Sequence, residues 1–385
     1  MSTLETLKRS LPTNTYKAQN IVSNTWENFV GTGKLNHKEL RPVIASRWQR
    51  CRELAINPFK NRAQTVLSDE ELESRLHTEN LGISGKNVLD KMTSSVEGTG
   101  HAIILADSSG KILYSVGHKD TQNQLEKINF KPGSDWHEDF VGPNGIGTTI
   151  GLGQPELILG SEHFCRGWQP WVCYGAPIHN PRDNTVLGCV DITGPANKVC
   201  IEAMALAMSI TQSIESELSV IQLNNREKVR LTYCNLQLIW PNQASLVVDE
   251  CGNIVDMNSH ANTLLNPYSS LINHSINNPF PDIMPHIEAC MINGSENEIN
   301  IELKKTTAGI ARLLLKPIKS DDTALGCFVM VIEGDNIIND FTTLRSKEDD
   351  LIRNTLLNTN NNISKAAKIL NIDRTTIYRR RKKWQ

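Results

Sequence analysis

The chain of 385 residues is 39% hydrophobic and 21% charged, a globular composition too long for one ordinary core, and it points to several folding units. No apolar run approaches the roughly 18 residues that a membrane-spanning helix needs, which excludes an integral helical membrane protein and a membrane partner. The formal net charge of −2 conceals an asymmetry: the last 23 residues hold eight basic side chains against one acid, giving +7, while the preceding 362 carry −9. An acidic body with a basic end is the electrostatic footprint of nucleic-acid binding.

Taken from the N-terminus, Met1 to Ser10 alternates polar and charged residues without the apolar core of a secretory signal. The nine cysteines, an odd number, do not form a disulfide framework, so a cytoplasmic location with free thiols is expected. Residues 1–85 read as a helical N-terminal segment, and residues 86–215 as a first sensor-like domain of mixed α/β character with an antiparallel sheet. Within it, His101 to Gly117 has the pattern of a hairpin turning at Asp107-Ser108-Ser109-Gly110. The glycine-rich run Gly142 to Gly153 lacks the Lys-Ser/Thr pair of a phosphate-binding loop and reads as a structural loop closing over a pocket.

The densest chemistry is His163, Cys165, Cys173 and His179. Alternation along a strand from Trp171 to His179 places Cys173 and His179 on one face. Such side chains suit zinc or iron, but the tight Cys-x-x-Cys pairing of structural zinc sites is missing, so no metal and no cofactor are assigned. A ligand pocket is expected from Trp136, His163, Cys165, Trp168 and Cys173, with the indoles stacking on a small molecule. The other histidines are isolated and no Gly-x-Ser-x-Gly nucleophile occurs, so an enzyme is not expected.

Ile201 to Val229 has the pattern of a long helix that runs into a connecting segment assigned to residues 216–240, and its length favours pairing with a second copy. Residues 241–334 read as a second sensor-like domain. Ser245 to Leu265 predicts a strand, a turn at Asp249 to Asn253, a strand, and a helix carrying Asn258 and Ala261. Further strands are predicted at Glu298–Lys304, Ile310–Pro317 and Leu325–Glu333. Asp335 to Thr343 is a linker.

Residues 342–385 predict three short helices. Ser346 and Asp349 mark the first start, and Leu351, Ile352, Thr355 and Leu356 form its stripe. Ile363, Ala366, Ala367 and Leu370 line the second, which ends at Asn371. Asp373 is placed to cap the third through the amide of Thr376, with Ile377 and Trp384 inward. In such a helix-turn-helix the start of the last helix meets base edges. Arg374, Thr375, Thr376, Tyr378 and Arg379 are the candidates for base contact, with Arg380, Lys382 and Lys383 completing the DNA-binding set, the two lysines on the phosphate backbone.

The string N-I-S-K-A-A-K-I-L-N-I-D-R-T-T-I-Y-R-R-R-K-K-W at Asn362 to Trp384 resembles the Fis-type DNA-binding domain. That resemblance implies a homodimer on a roughly palindromic site. Arg381 stands where the family keeps a core-facing aliphatic residue, and its stem is expected to cover apolar surface. RPVIASRWQRC at Arg41 to Cys51, WHEDFVGPNGIGTTIGLGQP at Trp136 to Pro155 and EHFCRGWQPWVCYGAPIHNP at Glu162 to Pro181 resemble the N-terminal GAF sensor region of the acetoin and glycerol-metabolism regulators, members of the enhancer-dependent (sigma-54) activators. Residues 245–265 resemble the start of a PAS domain. The expected architecture is therefore α+β and multidomain: GAF-like and PAS-like sensors followed by an all-α Fis-type module.

Those activators carry an ATPase between sensor and DNA-binding domain, and neither a Gly-x-x-x-x-Gly-Lys-Ser/Thr loop nor the Gly-Ala-Phe-Thr-Gly-Ala loop occurs here. The implied function is a one-component transcription regulator that acts without ATP hydrolysis. Its expected partners are double-stranded DNA, a second copy, a small-molecule or protein ligand for the sensor, and RNA polymerase or a full-length relative. A metal- or redox-responsive regulator and a non-DNA-binding sensory scaffold are the alternatives.

Overall fold

Two short sequences of the same form, Asp107-Ser-Ser-Gly-Lys and Asp249-Glu-Cys-Gly-Asn, start the two sheets. In each, the aspartate Oδ1 accepts from the amides two and four residues ahead, Ser109 (2.9 Å) and Lys111 (3.0 Å) in one, Cys251 (3.0 Å) and Asn253 (2.9 Å) in the other. The glycine takes the left-handed conformation that the turn requires, φ +83° at Gly110 and +76° at Gly252. The structure, a computed structural model, describes residues 15–265, 271–302, 310–320, 323–333, 351–353, 355–357, 359 and 361–381. The chain divides into two units, residues 1–221 and 222–385.

The first unit opens with α1 (Thr15–Thr32), α2 (Pro42–Glu53), β1 (Gln64–Thr65), α3 (Asp69–Thr78) and α4 (Asn80–Val96). It continues through β2 (Ala102–Asp107), β3 (Ile112–Gly117), α5 (Lys119–Lys127), β4 (Ser134–Asp135), α6 (Glu138–Val141), α7 (Gly147–Leu152), β5 (Glu156–Leu159), β6 (Trp171–His179) and β7 (Val186–Pro195). The main sheet has the order β3-β2-β7-β6-β5 and is antiparallel throughout. Both faces are covered, so β2 is buried along its whole length and reads as an unbroken apolar run rather than an alternating one. One face packs Ile103, Leu105, Val172 and Tyr174 against α4 and the start of α8 (Glu202–Ile239) through Leu89, Ala207, Ile210 and Ile214. The other packs Ile104, Ala106, Ile158 and Cys189 against Trp26, Phe29, Ile44 and Trp48 of α1 and α2.

Helix α8 runs ten residues beyond the predicted end at Val229. Val229 and Tyr233 are buried, with Leu236 and Ile239 packed beside them, and the helix stops before Pro241, which disfavours helical geometry in the residue preceding it. In the second unit, β8 (Ala244–Asp249), β9 (Ile254–Met257), α9 (Ser259–Leu265), α10 (Met284–Asn293), β10 (Asn297–Glu302), β11 (Ile310–Ser320) and β12 (Thr323–Glu333) follow. The sheet order is β10-β11-β12-β8-β9; the three predicted later strands are present with described ends that differ by at most three residues, and the predicted end at Lys304 lies outside the described residues. Asn258 stands outside its helix as the cap, its Oδ1 accepting from Ala261 at 2.9 Å.

The C-terminal helices are α11 (Ile363–Leu370) and α12 (Arg374–Arg381), preceded by helical residues 351–353 and 355–357. Asn362 caps α11 through the Lys365 amide (3.0 Å), and Asn371 ends it at φ +49°. Asp373 caps α12 through Thr375 (2.7 Å), one residue earlier than expected; Thr376 donates instead to the Asp373 carbonyl at 3.0 Å. Ile352, Leu356, Ala366, Ala367 and Ile377 form the core. The alanines let these short helices approach closely. Arg381 is exposed at the end of α12. Ser346, Asp349, the linker 335–343, Lys382, Lys383 and Trp384 lie outside the described residues.

Candidate ligand and nucleic-acid sites

The segment between β5 and β6 carries three of the sequence-predicted pocket residues, and it is anchored by charges the sequence did not single out. Arg41, at the head of α2, is forked between Glu156 (2.5 Å) and Glu162 (2.7 Å), and it also donates to the Leu157 carbonyl. Trp48 Nε1 donates to the Glu162 carbonyl at 2.8 Å and Trp26 Nε1 to that of Phe164 at 2.6 Å. Arg47 pairs with buried Glu138 at 3.2 Å, whose other oxygen accepts from Thr148 at 3.0 Å. These partners give Arg41, Arg47 and Trp48 of that motif three separate attachments.

The glycine-rich run is not a plain loop. Asn144 Oδ1 accepts from the Ile146 (2.9 Å) and Gly147 (3.0 Å) amides and starts α7. Gly145 has no room for a side chain: a Cβ there would lie 2.0 Å from Asp191 Oδ1 and 2.6 Å from Cys173 Cβ. This close approach seals Asp191, a group that sequence reasoning missed because its strand reads as ordinary apolar β7.

Asp191, Thr193, Cys173 and His163 form a buried chain of hydrogen bonds. His163 Nε2 lies 3.6 Å from Cys173 Sγ, and its Nδ1 is 2.9 Å from the Gly160 carbonyl. Thr193 Oγ1 lies 3.3 Å from the same sulfur and also bonds Asp191 Oδ2. Two proton arrangements satisfy all four contacts: a neutral one in which the Asp191 carboxyl donates to Thr193, Thr193 to Cys173, the thiol to His163 Nε2 and Nδ1–H to Gly160, and a charged one in which Thr193 donates to the Asp191 carboxylate, the thiol to Thr193 and a protonated His163 to Cys173 and Gly160. Burial favours the neutral one. Burial pushes the Asp191 carboxyl up to about 7 against the opposing pull of Thr193, and pushes the His163 imidazole down to about 4; burial also holds the Cys173 thiol far above its ordinary value. Asp191 Oδ1 has no hydrogen-bond partner among the described residues.

Linkage gives the two groups opposite signs. Stability associated with protonated Asp191 is complete below its unfolded value of 3.8 and is lost as pH rises to about 7. Stability associated with neutral His163 is complete above 6.5 and is lost as pH falls to about 4. The two slopes oppose each other over their shared range, each at most about 1.4 kcal/mol per pH unit. Asp191→Asn removes one of them. The variant is therefore expected to melt above the parent chain at pH 8, with the gap narrowing or reversing at pH 5; calorimetric scans at both values check this, and a gap independent of pH counts against a protonated Asp191.

Of the five predicted pocket residues, the structure brings His163 and Cys173 into contact. Trp136 and Trp168 meet edge to face at 4.7 Å. Their indole N–H groups are used by the Asn129 (3.0 Å) and Val141 (2.9 Å) carbonyls. Cys165 donates to Asn57 O at 3.4 Å, and burial raises its thiol to about 12. His179 leaves the group. A register shift at Ile178/His179 breaks the alternation and turns it to Glu215 of α8, 3.4 Å away, on the opposite face from Cys173. Among the described residues no set of three His, Cys, Asp or Glu side chains is arranged to hold a metal ion.

On α12, Arg374, Thr375, Tyr378 and Arg379 are exposed and share one face, opposite buried Ile377. Thr376 and Arg380 are half-buried on its flanks. Asp373, capping the helix from outside, is the sole acid in the stretch 363–385. A cationic helix face with two hydroxyl-bearing threonines and a tyrosine has the donors needed for base edges and phosphates.

Residues 18–216 match the N-terminal domain of MimR, and residues 343–384 match the Fis family of bacterial regulatory proteins. AcoR, the acetoin dehydrogenase operon transcriptional activator of Bacillus subtilis, is 33% identical over 205 residues, 53% of this chain and 33% of that protein. MimR, the propane 2-monooxygenase operon transcriptional activator of Mycolicibacterium smegmatis, is 28% identical over 207 residues, 53% of this chain and 34% of its own length. The solved E. coli DhaR(N)–DhaL complex aligns with 77% of this chain and 100% of the matched chain at 18% identity, with a TM-score of 0.49. The chain thus spans about a third of the length of these two regulators. With the MimR N-terminal domain extending over more than half of its residues and a Fis-family module beyond it, the chain belongs to the AcoR/MimR-type family of transcriptional regulators.

Proposed function

We propose that the chain is a sequence-specific DNA-binding transcriptional regulator that acts as a homodimer, reads a palindromic site through the exposed face of α12, and works without hydrolysing ATP. The observation that carries the reading is that face: Arg374, Thr375, Tyr378 and Arg379 stand together on a capped helix whose far side is buried. Two such modules related by a two-fold axis fit half-sites about one helical turn apart. Control by occupancy rather than by polymerase remodelling is consistent with a sequence that joins the two matched family regions through residues 217–342 without a phosphate-binding Gly-Lys-Ser/Thr pattern. Occupancy favours partners such as RNA polymerase or a full-length relative at shared sites.

The sensor ligand in this reading is a small uncharged molecule with hydrogen-bonding groups. The Asp191–Thr193–Cys173–His163 chain supports it, because burial favours the neutral form of every member and a charged ligand beside it would be buried without a counterion. Ligand binding then biases the geometry of the dimer and so the half-site spacing it accepts.

Genome-wide occupancy of the full chain, set against a version ending at Asn339, tests the reading. Discrete palindromic sites near promoters, lost on truncation, are expected. Their absence under several growth conditions would overturn it, and identical sites from the truncated chain would remove α12 as the reader.

A further inference from the structure

Both faces of the second sheet are covered, and alternation along its strands sorts the side chains between them. On β12, Phe328, Met330 and Ile332 pack on the side of Val229 and Tyr233 of α8, whereas Cys327, Val329 and Val331 face α10. Helix α10 meets them with Ile287 and Cys290, which follow the capping Ile283 at i+4 and i+7 on one buried face. Cys327 lies on the central strand of five, between Pro317 of β11 and Val248 of β8. The helix and the middle of the sheet therefore each bring a thiol to the same place, within hydrogen-bonding reach of each other. Cys290 Sγ also donates to the Ser295 carbonyl at 3.2 Å, and Cys327 Sγ lies 3.4 Å from that of Phe328.

The two sulfurs are not equivalent. The Cys327 S–H, directed at Cys290, holds the Cys290 thiol below its ordinary value against the opposing effect of burial. Cys327 is held well above its own, first by that bond and then by burial. The other four buried thiols, Cys51, Cys165, Cys173 and Cys189, are all pushed up by burial, so Cys290 is the buried sulfur that ionises most readily. The last turn of α10 covers it. Gly294 ends the helix there at φ +63°, and Ile292, Asn293 and Ser295 around it are exposed. Fraying of that one turn admits a small oxidant.

We propose that Cys290 and Cys327 are a hydroperoxide-reactive pair that closes a reversible disulfide between α10 and β12. The Cys290 thiolate attacks one peroxide oxygen; an S–O bond forms as the O–O bond breaks, and the other oxygen leaves as hydroxide and is protonated to water. The Cys327 sulfur then attacks Cys290, forming the S–S bond and expelling the second oxygen as water. With hydrogen peroxide, the two thiols give up two electrons and two protons and the peroxide becomes two waters. The bond fastens a helix to the middle of its own sheet and so fixes the packing of the second sensor-like domain. It stands independently of DNA binding.

The test uses the purified full-length chain, reduced and then exposed to equimolar hydrogen peroxide, with catalase to stop the reaction. After the remaining thiols are alkylated, peptide mass spectrometry is expected to find Cys290 joined to Cys327, the pair returning to two alkylatable thiols with dithiothreitol. The bond is expected to form at least about 10-fold faster than any oxidation at Cys51, Cys165, Cys173 or Cys189. In Cys327→Ser, Cys290 is expected to stop at a sulfenic acid that dimedone captures. In Cys290→Ser, Cys327 is expected to remain a thiol. Circular dichroism checks that both variants fold, and if either does not, the mapping on the parent chain decides alone. Cys290 and Cys327 both staying alkylatable while exposed Cys234 or Cys251 oxidises overturns the pair. A Cys290–Cys327 bond that forms only after unfolding in guanidinium overturns it equally.

Discussion

Replacing Arg41 with alanine is expected to destabilise the N-terminal unit by about 3–5 kcal/mol, the usual cost of leaving buried charges without their partner. Glu156 and Glu162 are 7% and 10% exposed at the side chain, so neither carboxylate recovers in water what it loses. The effect should reach the candidate pocket, because Glu162 also accepts from the Leu159 amide at 2.9 Å and directly precedes His163. Denaturant unfolding followed by tryptophan fluorescence measures it well, since five of the seven tryptophans, Trp26, Trp48, Trp136, Trp168 and Trp171, belong to this unit. Arg41→Lys should recover part of the loss and no more, as an ammonium has no planar fork to span two carboxylates. Arg41→Met combined with Glu156→Gln and Glu162→Gln should recover more than Arg41→Met alone. If the single and triple variants unfold at the same midpoint, the cluster does not stabilise the fold as argued.

Arg374→Ala is expected to weaken binding to the cognate operator by about 1–3 kcal/mol, or roughly 5- to 150-fold, and to relax the preference at one position of each half-site. Arg381→Ala should behave differently. Exposed and at the far end of α12, Arg381 is placed for a phosphate, so its loss should weaken all sequences about equally and lower the salt slope by about 1. Anisotropy titrations of matched and mismatched duplexes at several salt concentrations separate the two. Equal losses on matched and mismatched duplexes for Arg374→Ala would contradict base readout by this residue.

The C-terminal module was legible almost residue by residue, because short helices depend on local signals. Asn362, Asn371 and Asp373 act within three residues of their own backbone partners, and the apolar spacing of Ile352, Leu356, Ala366, Ala367 and Ile377 leaves one way to bury them. The two sheet-starting turns were equally plain for the same reason. The candidate pocket was half legible. His163 and Cys173 stood out by residue type and do meet, while His179 sits at the irregular end of the β6–β7 ladder, where regular alternation no longer holds, and pairs with Glu215.

What the sequence determined by itself was the order of the units, the helix-turn-helix with its exposed cationic face, and the family motifs, all written in contiguous residues. Only the tertiary structure decided the partners of Arg41, 115 and 121 residues away at Glu156 and Glu162. It likewise decided that Asp191 is a buried acid: it pairs with Gly175 across the sheet and lies under Gly145, and no local pattern marks a carboxyl sealed by a distant glycine. Likewise, the pattern made α8 a helix, but which of its sides is buried depends on where the sheet packs against it. Local hydrogen bonds and spacing are readable along the chain, whereas desolvation of a charge depends on everything packed around it.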